Sequence, residues 1–241
     1  MKSIELESLT WIEAEKSFSN YQIVLIALGA RTKEHGPHLQ LNNDYLLAEY
    51  LKDQVKEHVP TIVLPTLQYG YYPAFIEYPG SVTIKQETFC NLVVEICQSI
   101  SRFGIRKFYI LNTGVSTLQP LKQAAKILSE EGVTLEYFDI LNYPKDLPEN
   151  LLGQEGGSHA DEEETSIMLH IAPDTVDMSK AVKDLDLRPN RLGLTRDPSG
   201  NGHFSPTGIW GDPTLASKEK GKVIVDSMVS AIVEQINKMI E

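Results

Sequence analysis

Residues 22–44, QIVLIALGARTKEHGPHLQLNND, carry an unbroken apolar run directly into a polar turn. The apolar run, residues 23–28, is rich in branched side chains, which is typical of a strand buried on both faces of a parallel sheet. Gly29 then allows the chain to turn. In open α/β sheets, ligands bind beyond the carboxyl ends of the strands. The polar turn is therefore predicted to lie where such folds place their chemistry.

The turn contains four groups that can bind a metal ion or transfer a proton: Glu34, His35, His38 and Asp44. Imidazole and carboxylate are ligands of zinc, manganese and iron. A purely structural interpretation competes with this one. The two histidines can be surface residues of a turn, and Asp44 can be the N-terminal cap of a helix that starts at Tyr45. Composition alone leaves both interpretations open.

The rest of the chain alternates between short apolar runs, which predict strands, and apolar residues at helical spacing, which predict helices. Strands are predicted over residues 61–64, 105–111 and 133–140, and helices over residues 45–59, 83–103, 118–131 and 214–240. Another helix is predicted to begin near the acidic residues 161–164, which complement the helix dipole. Strands and helices that alternate at this spacing form right-handed βαβ units and a parallel sheet covered on both faces. We therefore predict a single α/β domain over residues 1–241.

Composition excludes several classes of partner. The 33 acidic and 22 basic residues give a net charge of −11, which argues against a nucleic acid or an anionic membrane as a partner. No apolar stretch approaches the roughly 20 residues of a membrane span. The first 20 residues also lack the apolar centre of a secretory signal, so a cytoplasmic location is predicted. Cys90 and Cys97, about 10 Å apart along a predicted helix, are predicted to be buried thiols.

Three stretches, in this order, resemble motifs of the creatininase family of metal-dependent amidohydrolases. GARTKEHGPHLQLNND, residues 29–44, is similar to the family's Gly, its Glu-x-His-Gly-x-His-Leu and an Asp nine residues after the first His. HADEEETS, residues 159–166, is similar to His-Ala-Gly-x-x-Glu-Thr-Ser. SPTGIWGDPTLASKEKG, residues 205–221, is similar to Gly-x-x-Gly-Asp-Pro-x-x-Ala-x-x-x-x-Gly. The ordered set is far more specific than any one motif.

The resemblance implies a three-layer α/β/α sandwich with a mostly parallel central sheet, assembled into a homo-oligomer that is often a hexamer. It also implies a two-metal site that hydrolyses a C–N bond of a small cyclic or linear amide. For this chain, one or two zinc or manganese ions per subunit are expected. The implied metal ligands are Glu34, His35 and Asp44. His159 would deliver a proton to the leaving nitrogen, and Glu164 would orient His159 or the attacking water. The further residues expected at the pocket are Lys33, His38, Ser116, His203 and Asp212.

The first motif departs from the family pattern at its acidic residue. The family places a Glu two residues before the first His, whereas Lys33 holds that position here and Glu34 directly precedes His35. Neighbouring side chains of an extended segment point to opposite sides, so only a bulge would bring Glu34 to the metal. Two alternatives follow: Glu34 reaches the metal through such a bulge, or the Lys33 ammonium takes the place of one ion.

A second departure follows the third predicted strand, at LNTGV, residues 111–115. The family usually has Asn-Gly-His-Gly-Gly-Asn or a His-x-Glu variant there. With Asn112 aligned, Gly114 stands in the place of the His and Ser116 in the place of the second carboxylate. The sequence therefore supports two hypotheses. The chain is an amidohydrolase with a reduced metal site, or it is an inactive family member that binds a ligand or serves as an oligomeric scaffold.

Overall fold

A parallel five-stranded sheet forms the centre of the structure. The computed structural model describes residues 1–143, 146–188, 191 and 193–241. The strands of the sheet are β1 Ile4–Glu5, β2 Ile23–Leu28, β3 Ile62–Leu67, β4 Lys107–Asn112 and β5 Thr134–Tyr137, in the spatial order β1-β3-β2-β4-β5. Every neighbouring pair is parallel, which confirms the mostly parallel sheet predicted from the sequence.

Helices cover both faces of this sheet. They are α1 Trp11–Phe18, α2 Asn43–His58, α3 Gln86–Ser101, α4 Leu118–Glu130, α5 Glu162–Ile171 and α6 Lys218–Ile240. One apolar cluster packs α2, α5 and α6 against the sheet, and a second cluster packs α3 and α4 against the opposite face. The predicted three-layer α/β/α sandwich is therefore confirmed. A small two-stranded sheet, β6 Leu194–Thr195 and β7 His203–Phe204, lies in the segment before α6.

Strand β2 shows why the opening stretch specifies the fold. All six of its residues are buried. Because side chains alternate along a strand, Ile23, Leu25 and Ala27 join the cluster under α2, α5 and α6. Val24, Ile26 and Leu28 join the cluster under α3 and α4. A run that is apolar at every position is thus required by burial on both faces, as the sequence predicted.

Two local predictions differ from the structure. The second predicted strand, residues 61–64, is expected to end before Pro65, but the corresponding strand β3 continues to Leu67. Strand β1 pairs only with Ile62 and Val63, so the missing N–H of Pro65 lies beyond that pairing and costs no bond to β1. Asp44 was one candidate for a helix cap, but α2 already begins at Asn43. Asp44 lies in the first turn of α2, and its side chain is buried.

The carboxyl ends of β2 and β4 and the start of α2 are tied together. Leu28 pairs with Asn112, and the hydroxyl of Thr113 donates to the carbonyl oxygens of Leu28 and Asp44, both at 3.1 Å. A Cβ atom on Gly29 would lie 2.3 Å from the carbonyl oxygen of Asp44, so only glycine allows this approach. The fold therefore delivers the polar turn and the loop after β4 to one edge of the sheet.

The described part of the chain was also searched for membrane-spanning helices. None of its helices combines the length and the apolar character that a bilayer crossing requires.

Candidate active site

A cavity of about 870 Å³ opens at the carboxyl edge of the sheet. Its walls come from the polar turn, the loop after β4, the segment before α5 and the start of α5 itself. The ionisable groups Lys33, Asp44, His159 and Glu164 are among the residues that line it. The sheet edge predicted from β2 is therefore where these functional groups meet.

Lys33, and not Glu34, contacts Asp44. The Lys33 ammonium lies 2.6 Å from Asp44 Oδ2, and the two side chains are 6% and 2% exposed. His35 Nε2 lies 2.8 Å from the other carboxylate oxygen, Oδ1. Both oxygens of Asp44 therefore have a nitrogen partner. Of the two alternatives that the sequence left open at this position, the geometry matches the one in which an ammonium stands beside Asp44.

Glu34 instead holds His159. Its carboxylate accepts a hydrogen bond from the backbone N–H of Gly36 and lies 3.1 Å from His159 Nε2. The same imidazole nitrogen lies 3.0 Å from the carbonyl oxygen of Glu34. Adjacent side chains point to opposite sides of the segment, so Lys33 and Glu34 serve different partners. The structure thus places Glu34 as a support of His159.

The opposite nitrogen of His159 faces Glu164. His159 Nδ1 and Glu164 Oε2 are 3.6 Å apart, which is longer than a hydrogen bond. Glu164 Oε2 also accepts a hydrogen bond of 2.6 Å from the backbone N–H of Ala160. Within the part of the chain that the structure describes, one group of side chains qualifies as a metal-binding cluster. It consists of His35, His159 and Glu164, whose ligand atoms all lie within 4.8 Å of one another.

The hydrogen-bond partners indicate which ring nitrogens of the two histidines carry protons. His35 Nδ1 lies 2.9 Å from the carbonyl oxygen of Lys33, and a carbonyl oxygen only accepts, so Nδ1 carries the proton. The same reasoning assigns the proton of His159 to Nε2, because both of its partners there are oxygen acceptors of Glu34. His35 Nε2 lies 2.8 Å from Asp44 Oδ1, which also only accepts, so this contact is a hydrogen bond only when His35 carries a second proton, and a cation bound to Nε2 would take that proton's place. In neutral His159, the lone pair of Nδ1 faces the carboxylate of Glu164. Commitment of one ring nitrogen to a carbonyl is typical of metal-binding histidines.

The electrostatics of the cluster follow from burial and close charge pairs. Burial by itself raises the pKa of Asp44, but the Lys33 ammonium and His35 outweigh it and hold this pKa well below its usual range. For His159, burial lowers the pKa, whereas the hydrogen bond that its Nε2–H donates to Glu34 and the charge of Glu164 outweigh burial and raise it. The three carboxylates of Glu34, Asp44 and Glu164 and the one ammonium leave a net charge of −2 while both imidazoles are neutral. One divalent cation, or one proton on each imidazole, neutralises this charge.

His38 lies beside the cluster but outside it. Its Nε2 atom lies 2.8 Å from the hydroxyl oxygen of Thr165, and Nδ1 has no hydrogen-bond partner among the described residues. Burial lowers the pKa of His38 to about 4, so its imidazole is neutral at physiological pH. The structure therefore places His38 as a link between the polar turn and α5, in a position that does not line the cavity.

The remaining predicted pocket residues are divided between the cavity and its surroundings. Ser116 lines the cavity. His203 instead stacks on the Trp210 ring at a centroid distance of 4.0 Å, outside the cavity lining. Asp212 also lies outside the lining, where its side chain accepts hydrogen bonds from Thr214 at the start of a single-turn helix.

Several residues that support the site lie outside the opening stretch, residues 22–44. The Phe75 ring packs against the His159 imidazole at 4.4 Å, and the Lys33 ammonium lies 4.7 Å from the centre of the same ring. Trp210 and His159 exchange backbone hydrogen bonds of 2.9 and 3.3 Å, which fix the segment before α5. Gly208, in a left-handed conformation with φ of +82°, lies against the carboxylate of Glu34. These contacts join residues that are far apart in the chain, so the sequence did not predict them. The motif at residues 205–221 did predict that its segment belongs to the site.

Comparison with known families places these residues in context. The family model described as creatinine amidohydrolase, of the creatininase family, matches residues 7–236. The chain belongs to the creatininase family. The membership predicted from the three motifs is therefore confirmed.

Curated creatininase relatives have different substrates. Creatinine amidohydrolase of Pseudomonas putida is 27% identical, over 98% of this chain and 97% of the relative. Mycofactocin precursor peptide peptidase of Mycolicibacterium smegmatis is 28% identical, over 90% and 85%. A 3-dehydro-scyllo-inosose hydrolase of Thermotoga maritima is 25% identical, over 99% and 84%. The names of all three describe hydrolytic enzymes, which confirms the predicted enzyme class for this creatininase family member.

Solved creatininase structures share both the fold and nearly the whole length. A manganese form is 26% identical with a TM-score of 0.80, and the match covers 99% of both chains. A variant described as the Zn–Zn type is 26% identical with a TM-score of 0.81 and the same coverage. Metal binding is therefore found among the structural neighbours, in a manganese form and in a form named for two zinc ions.

Proposed function

We propose that this member of the creatininase family is a hydrolase of an amide C–N bond that uses one divalent ion held by His35, His159 and Glu164. The observation that carries the proposal is the orientation of the two imidazoles. Each commits one nitrogen to a backbone carbonyl and directs the other at a carboxylate, and the three ligand atoms lie within 4.8 Å. Three protein ligands with an open position for water are the usual set of a catalytic zinc ion. The net charge of the surrounding groups also suits one divalent ion.

When bound, such an ion polarises a carbonyl group and lowers the pKa of water to about 7. The surrounding residues orient its ligands. Glu34 holds the Nε2–H group of His159, and the N–H group of Ala160 holds Glu164. The Phe75 ring covers one side of the His159 imidazole and excludes water there. These contacts keep the ligand atoms in place before an ion or a substrate arrives.

The proton-transfer role predicted for His159 depends on the same atom as metal binding. His159 Nε2 is committed to Glu34, so only Nδ1 can bind an ion or deliver a proton to the leaving nitrogen. One nitrogen cannot do both at once. In the one-ion proposal, His159 and Glu164 therefore act as ligands, and Asp44 neutralises Lys33 instead of binding the ion.

The cavity favours an amide that carries an apolar group. Its volume of about 870 Å³ lies in the upper part of the range of roughly 300–1,000 Å³ that is common for ligand pockets. A small lactam ring fills only a fraction of that space. Five apolar side chains that line the cavity are Leu47, Ile140, Leu152, Ile167 and Met228. We propose that they receive an aliphatic or aromatic substituent of the substrate.

Metal analysis tests the one-ion site directly. Protein stripped with a chelator and dialysed against zinc or manganese should retain about one ion per subunit. Glu164→Gln should lower the affinity for that ion, because it removes a charged ligand from the cluster. Glu163→Gln is the matched control, since it changes the neighbouring carboxylate of α5, which lies outside the cluster, and should leave the ion count unchanged. A wild-type protein that retains no ion would contradict the proposal.

A ligand-binding protein without catalysis is the second candidate. The observation that favours it is the buried Lys33–Asp44 ion pair, which already satisfies Asp44 without any ion. A panel of lactams and N-acyl amides of increasing apolar length separates the two functions. Metal-dependent hydrolysis that improves with apolar length supports the hydrolase. Binding of the same amides with no turnover in the metal-loaded protein supports the second candidate.

A further inference from the structure

The Lys33 ammonium stands in a position that a cation would otherwise be required to fill. Asp44 is buried, and a buried carboxylate needs a compensating charge. Lys33 supplies that charge at 2.6 Å, and its ammonium also lies 4.7 and 5.7 Å from the centres of the Phe75 and Tyr72 rings. Aromatic faces attract cations at such distances. Asp44, Phe75 and Tyr72 thus form a binding site for one positive charge, and the chain fills it with its own side chain.

This ammonium and the proposed ion site share one histidine. His35 Nε2 contacts Asp44 Oδ1 and also belongs to the cluster with His159 and Glu164. Asp44 itself is absent from that cluster, and both of its oxygens face nitrogen atoms. A second divalent ion on Asp44 would have to displace the ammonium or lie directly beside it, where like charges repel. The solved variant of the Zn–Zn type is named for two ions, whereas the described residues of this chain offer one ligand cluster.

We propose that the Lys33 ammonium permanently replaces a second metal ion, so that this chain has a mononuclear centre with a built-in cation. This inference rests on the proposed hydrolase site, which it deepens by assigning the other half of the centre. A side-chain cation cannot exchange with solvent or be removed by a chelator. The half of the site around Asp44 therefore keeps its positive charge at any metal concentration.

Replacement of Lys33 by a metal-binding side chain tests the idea. In Lys33→Glu, the new carboxylate stands beside Asp44 in place of the ammonium, and the two acidic groups should bind an additional ion. Lys33→His is a second variant that offers a neutral ligand, in case the extra buried carboxylate prevents folding. Lys33→Met is the control, because it removes the charge at similar length without adding an oxygen or nitrogen ligand. Each protein is stripped, dialysed against zinc and measured for ions per subunit.

The deciding quantity is the difference between variant and wild-type counts. We expect about one ion in the wild type and in Lys33→Met, and about two in Lys33→Glu or Lys33→His. The manganese forms provide a second measurement, since two neighbouring manganese ions show magnetic coupling in their EPR spectrum and a single ion does not. Two zinc ions in the wild type, or folded Lys33→Glu and Lys33→His proteins that bind no more ions than the wild type, would overturn the inference.

The same experiment separates the inference from the proposed function. A wild type without any ion contradicts the one-ion hydrolase. If Lys33→Glu then gains an ion that the wild type lacks, Lys33 still occupies an ion's place, and the replacement of an ion by Lys33 holds although the mononuclear centre does not. If neither variant gains an ion, the inference fails together with the proposal.

Discussion

The Lys33–Asp44 ion pair predicts a large and specific loss of stability when only one partner is removed. Lys33→Met leaves the Asp44 carboxylate buried with His35 as its remaining nitrogen partner. At 2.6 Å, the Coulomb attraction of the pair is about 6 kcal/mol at an effective dielectric constant of 20. Desolvation offsets much of this attraction, and breaking a buried pair from one side typically costs about 3–5 kcal/mol.

The lower end of that range applies here, because His35 still contacts Asp44. We therefore expect Lys33→Met to lower the free energy of unfolding by about 3 kcal/mol. For a chain of this size, this corresponds to a fall of roughly 6–12 °C in the thermal midpoint. Asp44→Asn should cost a similar amount, because it leaves the ammonium buried without a counter-charge. The double variant should lose less than the sum of the two single losses, since neither charge is then left alone.

Urea unfolding of the chelator-treated proteins, followed by circular dichroism, measures all three variants. Lys238→Met is the matched control, because Lys238 forms an exposed ion pair of 2.6 Å with Glu234 on α6. Such surface pairs contribute little, so this variant should unfold at the wild-type midpoint. If Lys33→Met behaved like Lys238→Met, or if the losses of Lys33→Met and Asp44→Asn were simply additive, the buried ion pair would not have the role described.

Two further predictions concern the surroundings of the cluster. Because burial lowers the pKa of His38 to about 4 while the unfolded chain keeps the ordinary value of 6.5, the unfolded state binds more protons between these values. The free energy of unfolding should therefore fall by up to about 3 kcal/mol as the pH decreases from 6.5 to 4. His38→Gln should lack this decrease, and an equal pH dependence of the unfolding free energy in His38→Gln and wild type would contradict the prediction. Gly208→Ala would place a Cβ atom against Glu34 Oε1 and push this carboxylate away from His159. Because Glu34 orients His159, we expect the zinc affinity to fall roughly 10–100-fold. Gly132 has a similar positive φ but open space around it, so Gly132→Ala is the control and should leave the zinc affinity unchanged. An equal loss of affinity in both variants would contradict the role of the contact between residue 208 and Glu34.

Most of the architecture could be predicted from local patterns. The continuous apolar run of β2 required burial on both faces, and the alternation of strands and helices required a covered parallel sheet. Element ends were less predictable, as β3 shows, because a proline is compatible with a strand wherever its neighbour does not need the missing N–H. Subunit association and cytoplasmic location stay predictions.

The site was predictable as a set of residues but not as a set of contacts. The resemblance grouped Glu34, His35 and Asp44 as ligands, on positions of one contiguous motif. The structure divides them: Asp44 faces Lys33 and His35, whereas Glu34 faces His159, which lies far away in the chain. Glu164 reaches the cluster from α5. Contacts across such distances depend on how the sheet edge and α5 come together, which no local pattern encodes.

The sequence by itself determined the family, the three-layer fold and the edge of the sheet where the chemistry lies. These properties follow from apolar periodicity and from motifs that are contiguous in the chain. Only the tertiary structure decided which of two adjacent residues faces Asp44. Lys33 contacts Asp44 and Glu34 contacts His159, and the ammonium is stable beside Asp44 because the buried carboxylate and the aromatic rings around it favour a positive charge.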